Sequence, residues 1–244
     1  MLILDAGNSR IKWGWWAQGR IVDQGVCDRA EALPGPRELR CEVGGTVRAA
    51  AVSVAASTVR ERLAAVVLER WGVTLEFLVP SPRFGELVCA YEDPARLGVD
   101  RWAAIVAAAT RYGLPAVVVD CGTAVTIDCI CAEGRHRGGV ILPGLATMRR
   151  SLHSGTANLP EVLGPAEGLL GTDTVAAIRN GTFYAVVGAV DRIVGALDDV
   201  TDERGTHYLV TGGDAALFRG HFAHRYQHDP TLVLTGAALL AAGP

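Results

Sequence analysis

The chain opens on an apolar run, Leu2-Ile3-Leu4, that stops at Asp5 and passes at once into Gly7, Asn8 and Ser9. Aliphatic residues ending on turn chemistry predict a buried strand that finishes at Asp5. Gly7 permits backbone angles that other residues resist and lets a phosphate approach the main chain. From Ile11 the pattern alternates, with Ile11, Trp13 and Trp15 on one face and Lys12 and Gly14 on the other, which predicts a second strand. A third strand is expected over Arg20 to Cys27, then a polar helix over Asp28 to Arg40 broken near Pro34-Gly35-Pro36, and an apolar strand over Thr46 to Val54. Ser57 to Trp71 carries Val59, Leu63, Val66 and Val67 at helical spacing, and Val73 to Val79 reads as a strand. The order β-β-β-α-β-α points to an α/β layer.

Pro80 to Pro94 is rich in breakers and reads as a surface segment. Gly98-Val99-Asp100-Arg101 then opens a helix with Trp102, Ile105, Val106 and Ala109 at helical spacing, for which Asp100 is a candidate N-cap. The opening pattern then returns nearly half a chain later. Val117-Val118-Val119 runs into Asp120-Cys121-Gly122-Thr123, with alternating Val125, Ile127 and Cys129 after it. Strands are expected near 116–121, 124–131 and 134–142, followed by Pro143-Gly144 and a helix. Gly171 to Asp199 is the longest helical stretch, and Ala177, Gly181, Ala185 and Gly188 give it a smooth face for close helix contact, in the core or between subunits. A strand over Tyr208 to Thr211 ends in Gly212-Gly213, and a buried helix starts near Leu232. The repeat predicts two similar lobes, 1–113 and 114–244, facing one cleft.

Composition narrows the classes of partner. The 244 residues carry a net charge of -3, so no basic footprint invites a nucleic acid. Six cysteines, Cys27, Cys41, Cys89, Cys121, Cys129 and Cys131, lack C-x-x-C spacing, so they read as small packing residues. No basic leader and no stretch long enough to span a bilayer are visible, which predicts a cytoplasmic protein without a membrane partner.

Each aspartate at a strand end is, taken alone, an Asx-turn. Two copies, with a third strand ending in Gly-Gly, favour a nucleotide-triphosphate site instead. Turn N–H groups bind phosphate oxygens, a carboxylate holds a metal directly or through water, and Lys12 adds a point charge. His221, His224 and His228 are close in sequence, but they fall on a helix end, a turn and a strand, so they read as solvated histidines rather than a metal site.

These segments together resemble the type III pantothenate kinases of the sugar kinase and actin superfamily. The resemblance is carried by Asp5-Ala6-Gly7-Asn8-Ser9-Arg10-Ile11-Lys12, by Asp120-Cys121-Gly122-Thr123, and between them by Tyr91 with Leu97-Gly98-Val99-Asp100-Arg101. Gly138 to Gly144, Thr156-Ala157-Asn158-Leu159-Pro160 and Thr172-Asp173-Thr174 continue it in order, with Asp173 where asparagine is usual. The resemblance implies two ribonuclease-H-like, actin-like ATPase lobes with an ATP cleft between them, and a homodimer built on the long helix. It implies phosphorylation of pantothenate to 4'-phosphopantothenate, the first step toward coenzyme A. Asp100 matches the general base, and Asp5, Ala6, Gly7, Asn8, Ser9, Arg10, Ile11, Lys12 and Thr123 match the ATP-binding positions. Tyr91, Gly98, Val99, Asp100, Arg101 and Thr174 match substrate positions, Thr174 reaching across the dimer. Asp120 matches the ligand of a monovalent cation, potassium or ammonium, used alongside Mg²⁺. The rivals are another kinase or phosphatase on this fold, and a non-catalytic accessory protein, which has no need of Asp5, Asp100 and Asp120 together.

Overall fold

The computed structural model describes residues 1–7, 10–42, 45–201 and 205–244. Its first elements are β1 (Leu2–Ala6), β2 (Ile11–Ala17), β3 (Arg20–Cys27), β4 (Ala49–Ser53), α1 (Ser57–Trp71) and β5 (Leu75–Phe77). A small hairpin of β6 (Arg83–Phe84) and β7 (Leu87–Val88) precedes α2 (Val99–Arg111). There follow β8 (Ala116–Cys121), β9 (Ala124–Ile130), β10 (His136–Pro143), α3 (Leu145–Gly155), α4 (Thr174–Thr201), β11 (His207–Thr211), β12 (Gln227–His228) and α5 (Leu232–Ala242). No helix among the described residues is long and apolar enough to cross a membrane.

The chain forms two compact units, one of Met1–Gly113, Glu133–His136 and Thr231–Pro244, the other of Leu114–Ala132 and Arg137–Pro230. Helix α5, drawn with the second half in the linear division at 113/114, thus packs in the first unit. Each unit is built on a five-stranded sheet, ordered β3-β2-β1-β4-β5 in the first and β10-β9-β8-β11-β12 in the second. The central strand pairs antiparallel with the strand after it and parallel with the next one over: β1 with β2 and β4, β8 with β9 and β11. The repeated sequence pattern is therefore a repeated topology.

Alternation along β1 divides the first unit's core. Leu2, Leu4 and Ala6 face α1, where Leu63, Val66, Val67 and Trp71 close an apolar layer and Trp15 stacks on Trp71 at 5.5 Å between ring centroids. Ile3 and Asp5 face the other way, toward α2 and α5. Helix α2 differs from the amphipathic stripe expected: every residue from Arg101 to Ala108 is buried, because it lies against β4 and against α5. Gly236 of α5 fits so closely on the Ala103 carbonyl that any side chain there would overlap it. Small alanines make this contact possible.

Two further elements depart from the expected ones. Asp28 to Arg40 forms two short 3₁₀ turns, Ala30–Ala32 and Pro36–Glu38, because the prolines forbid a continuous helix and Asp23 accepts the Arg40 N–H at 2.8 Å. The breaker-rich segment at 80–94 contains the β6–β7 hairpin, tied to the β9–β10 turn by the Val88 N–H donating to the Gly134 carbonyl at 3.0 Å.

In the second unit Val117, Val119 and Cys121 of β8 pack with Val125, Ile127 and Cys129 of β9 against Phe183, Val186, Val187 and Val190 of α4. Asp120 therefore projects from the opposite face. None of the six cysteines is in a disulfide, and Cys121, Cys129 and Cys131 are buried.

Candidate active site

Asp5 closes β1 on the face that looks toward α2 and α5. Register places it opposite Lys12, whose ammonium stands 3.7 Å from the carboxylate. Burial pushes the Asp5 carboxyl up to about 6; Lys12 opposes that shift and the nearby charge of Asp100 adds to it. Two carboxylates thus share one neighbourhood with a single lysine, an arrangement that invites a cation. The turn after Asp5 closes with the Gly7 N–H donating to the Arg10 carbonyl at 3.1 Å. Gly7 does not adopt a left-handed conformation, so its use is the open approach to the backbone. Ala6 and Ile11 have their side chains in the core, which leaves only their main chain for a ligand. Asn8 and Ser9 lie outside the described residues.

Asp100 sits in the first turn of α2, where Gly98, not Asp100, is the N-cap residue. Its Oδ1 accepts the Arg101 N–H at 2.8 Å. The same oxygen lies 2.5 Å from where a Cβ on Gly98 would stand, so Gly98 is required by the carboxylate's position. Arg101 is only 6% exposed, and its Nη1 donates to the Tyr91 hydroxyl at 3.1 Å. The guanidinium also lies over the Tyr91 ring, 5.9 Å from its centroid. Val99, between these residues, is buried. Asp5, Lys12, Asp100, Arg101 and Tyr91 all belong to the first unit.

In the second unit the β8–β9 turn is tighter, closed by the Gly122 N–H to the Ala124 carbonyl at 2.9 Å. Helix α3 buttresses it: the Thr123 carbonyl accepts from the Gly144 N–H at 3.0 Å and from the Thr147 hydroxyl at 2.7 Å, while Thr123 itself stays exposed. Asp120 pairs in register with Thr126 on β9 and Thr211 on β11, so the three side chains share a face. One Asp120 oxygen lies 2.4 Å from the Cβ that Gly212 lacks, and Gly212, at φ +99°, takes a conformation that favours glycine. Thr211 is fully buried, and its hydroxyl has no hydrogen-bond partner among the described residues. A carboxylate beside an unsatisfied buried hydroxyl is an oxygen donor set suited to a hard cation.

Thr174 is the first residue of α4. Asp173 supplies the cap, its Oδ1 accepting the Ala176 N–H at 2.9 Å, so Thr174 is left exposed for other contacts. It lines a groove of about 690 Å³ between α3 and α4 with Thr147, Leu159, Ala177, Gly181 and Ala185. The small residues expected to smooth the long helix are on its exposed side. Among the described residues no group of three or more His, Cys, Asp or Glu side chains could hold a metal. His221 and His224 instead make ring contacts, with Phe183 at 4.8 Å and Tyr208 at 4.6 Å. His136, Thr147 and Thr211 lie outside the sequence motifs. Only Thr211, ahead of a double glycine at a strand end, had a local signal.

Two sheets of one order, each with an aspartate and a glycine turn at the end of its central strand, define the class: the ribonuclease-H-like α/β fold of actin-like ATPases and sugar kinases. Solved structures agree at the level of fold. A protein from Campylobacter jejuni described as a Baf family transcriptional activator aligns with TM-score 0.59 and 21% identity, covering 99% of this chain and 98% of that one. One from Sinorhizobium meliloti described as a 2-dehydro-3-deoxygalactonokinase aligns with TM-score 0.54 and 11% identity over 98% and 97%.

Sequence narrows the class. The profile of the type III pantothenate kinases matches residues 1–196. Type III pantothenate kinases of Nitrosococcus oceani and Alkalilimnicola ehrlichii are 35% and 36% identical, covering 99% and 98% of this chain and 93% and 97% of the relatives. The chain belongs to the type III pantothenate kinase family.

Proposed function

We propose that this chain transfers the γ-phosphoryl group of ATP to the primary hydroxyl of pantothenate, giving 4'-phosphopantothenate for coenzyme A synthesis. Family membership supports the reaction class. The observation that carries the residue roles is that Asp5, salt-bridged to Lys12 at the end of β1, lies within reach of the charge of Asp100 at the start of α2, next to the Arg101–Tyr91 pair.

In this reading Asp100 accepts the proton of the attacking hydroxyl, its carboxylate oriented by the Arg101 N–H. The Arg101 guanidinium, held by Tyr91, takes the carboxylate of pantothenate. Gly98 and Val99 form the wall between them, and Thr174 contributes from a second copy of the chain. Asp5, Gly7, Asn8, Ser9, Arg10 and Lys12, the main chain of Ala6 and Ile11, and Thr123 from the second turn serve ATP. The carboxylate of Asp5 suits the Mg²⁺ that accompanies ATP, directly or through water, and that ion neutralises phosphate charge. Asp120, with the hydroxyl of Thr211 beside it, suits potassium or ammonium. The two compact units are the lobes of the kinase, and its place is the cytoplasm.

A homodimer is supported by the α3–α4 groove and by Leu163, Leu169 and Leu170 between those helices in sequence, which are 66–86% exposed. Sedimentation at micromolar concentration should show a dimer; a monomer alone would remove Thr174 from the site.

Phosphorus NMR of a reaction containing ATP, Mg²⁺ and pantothenate tests the reaction itself. A new phosphomonoester signal that needs pantothenate is expected. Inorganic phosphate appearing at the same rate without pantothenate would overturn the reading.

A further inference from the structure

Tyr91 lies in a segment without regular structure, between β7 and the 3₁₀ turn Pro94–Arg96. Such a segment cannot by itself hold an aromatic ring in one orientation. Besides Arg101, a contact on the ring comes from far along the chain. Val88 pairs with Arg135 in a parallel bridge, and its N–H donates to the Gly134 carbonyl at 3.0 Å. This pairing brings His136, the first residue of β10, alongside Tyr91. Their rings lie 6.3 Å apart between centroids and only 6° from parallel. His136 is 4% exposed, so it is a fixed platform. Tyr91 in turn accepts the hydrogen bond from Arg101, a buried charge, and so bears on the direction of its guanidinium.

We infer that His136 is a positioning residue for substrate: its ring sets the plane of Tyr91, and Tyr91 aims the Arg101 guanidinium at the carboxylate of the acceptor. The inference rests on the reading of Arg101 as the carboxylate's partner. It assigns His136 no proton transfer and no contact with substrate.

The test uses the full chain with three substitutions. His136→Leu keeps buried volume and removes the flat ring; His136→Phe keeps the ring; Arg101→Met removes the charge. His136→Leu should raise KM for pantothenate about tenfold while KM for ATP and kcat stay within about twofold, and His136→Phe should restore it. With pantothenol, in which CH₂OH replaces the carboxylate, His136→Leu and the unaltered protein should have the same KM, because nothing remains for a misaimed guanidinium to miss. Thermal midpoints are measured alongside. A rise in KM for ATP and pantothenate together, the same rise with pantothenol, or no rescue by His136→Phe would show a general structural role and overturn the inference. If Arg101→Met raises KM for pantothenate while His136→Leu does not, the inference falls alone. If Arg101→Met leaves that KM unchanged, the reading of Arg101 falls and the inference with it.

Discussion

The two sheets share an order and a central strand ending in aspartate, yet the two aspartates stand in different chemistry. Asp5 is flanked in register by Lys12 and Val52, and the charge of Asp100 reaches it. Asp120 is flanked by Thr126 and Thr211, hydroxyls in place of an ammonium and an isopropyl group. The turns differ as well: the first runs from Gly7 to Arg10, while the second is tighter and leans on the start of α3. One frame therefore presents a carboxylate salt-bridged to a lysine and near a second carboxylate in the first unit, and an oxygen-rich corner in the second. The difference teaches that a duplicated fold fixes where a carboxylate stands, and its register neighbours decide what it does.

The largest effect should come from the first unit. Asp100→Asn should lower kcat by about 10²- to 10⁴-fold, with KM for ATP little changed, since it removes a base and almost no volume. Steady-state kinetics checks this, and a variant that kept most of its rate would leave Asp100 a structural carboxylate. Next, Asp120→Asn should raise the potassium concentration for half-maximal rate by about tenfold or more. The corresponding change at Asp5 should not produce a potassium effect of its own, and if it does, the contrast between the two corners is lost.

Asp5→Asn separates the two corners by stability. Because the folded carboxyl is raised to about 6, the folded state binds its proton more tightly than the unfolded chain does. Ionised Asp5 therefore costs stability above pH 6, and the cost fades as pH falls toward the ordinary carboxylate range. Asp5→Asn should be more stable than the parent at pH 7 to 8 by up to about 3 kcal/mol, a gain that shrinks as pH is lowered through 6. Urea unfolding from pH 5 to 8 measures it; a constant difference would mean that the charge of Asp5 is not the cause. The smallest effect belongs to Lys12. Lys12→Gln removes the group that opposes the shift, so the acid limb of the rate profile should move upward by up to about one pH unit. A limb that stayed in place would show that Lys12 does not govern Asp5.

Much of this frame is legible in sequence because its signals are local. β1, β2, β3, α1 and β8 to β10 stand within a residue or two of their apolar patterns. The Asp28 to Arg40 stretch misleads because its polar spacing resembles a helix while Pro34 and Pro36 and the Asp23–Arg40 bond dictate turns. The all-round burial of α2 is not legible, since it depends on α5 arriving from the other end of the chain with Gly236 against Ala103. Asp100 was readable as a helix-start carboxylate. Its approach to Gly98 is local to the helix start, but its influence on Asp5 depends on strand-to-helix packing that no window of sequence contains. His136 carries no motif and Thr211 only a strand end ahead of a double glycine, and each gains its place from a backbone pairing, Val88 with Arg135 and Thr211 with Asp120.

The central claim is that Asp5 and Asp100 form one phosphoryl-transfer site for pantothenate. It is tested most directly by following ADP release with ATP and Mg²⁺, with and without pantothenate, in potassium and in sodium, for the parent chain and Asp100→Asn. The account predicts release that needs pantothenate, runs faster in potassium, and nearly vanishes in the variant. Release that ignores pantothenate, or that survives in Asp100→Asn at the parent's rate, would contradict it.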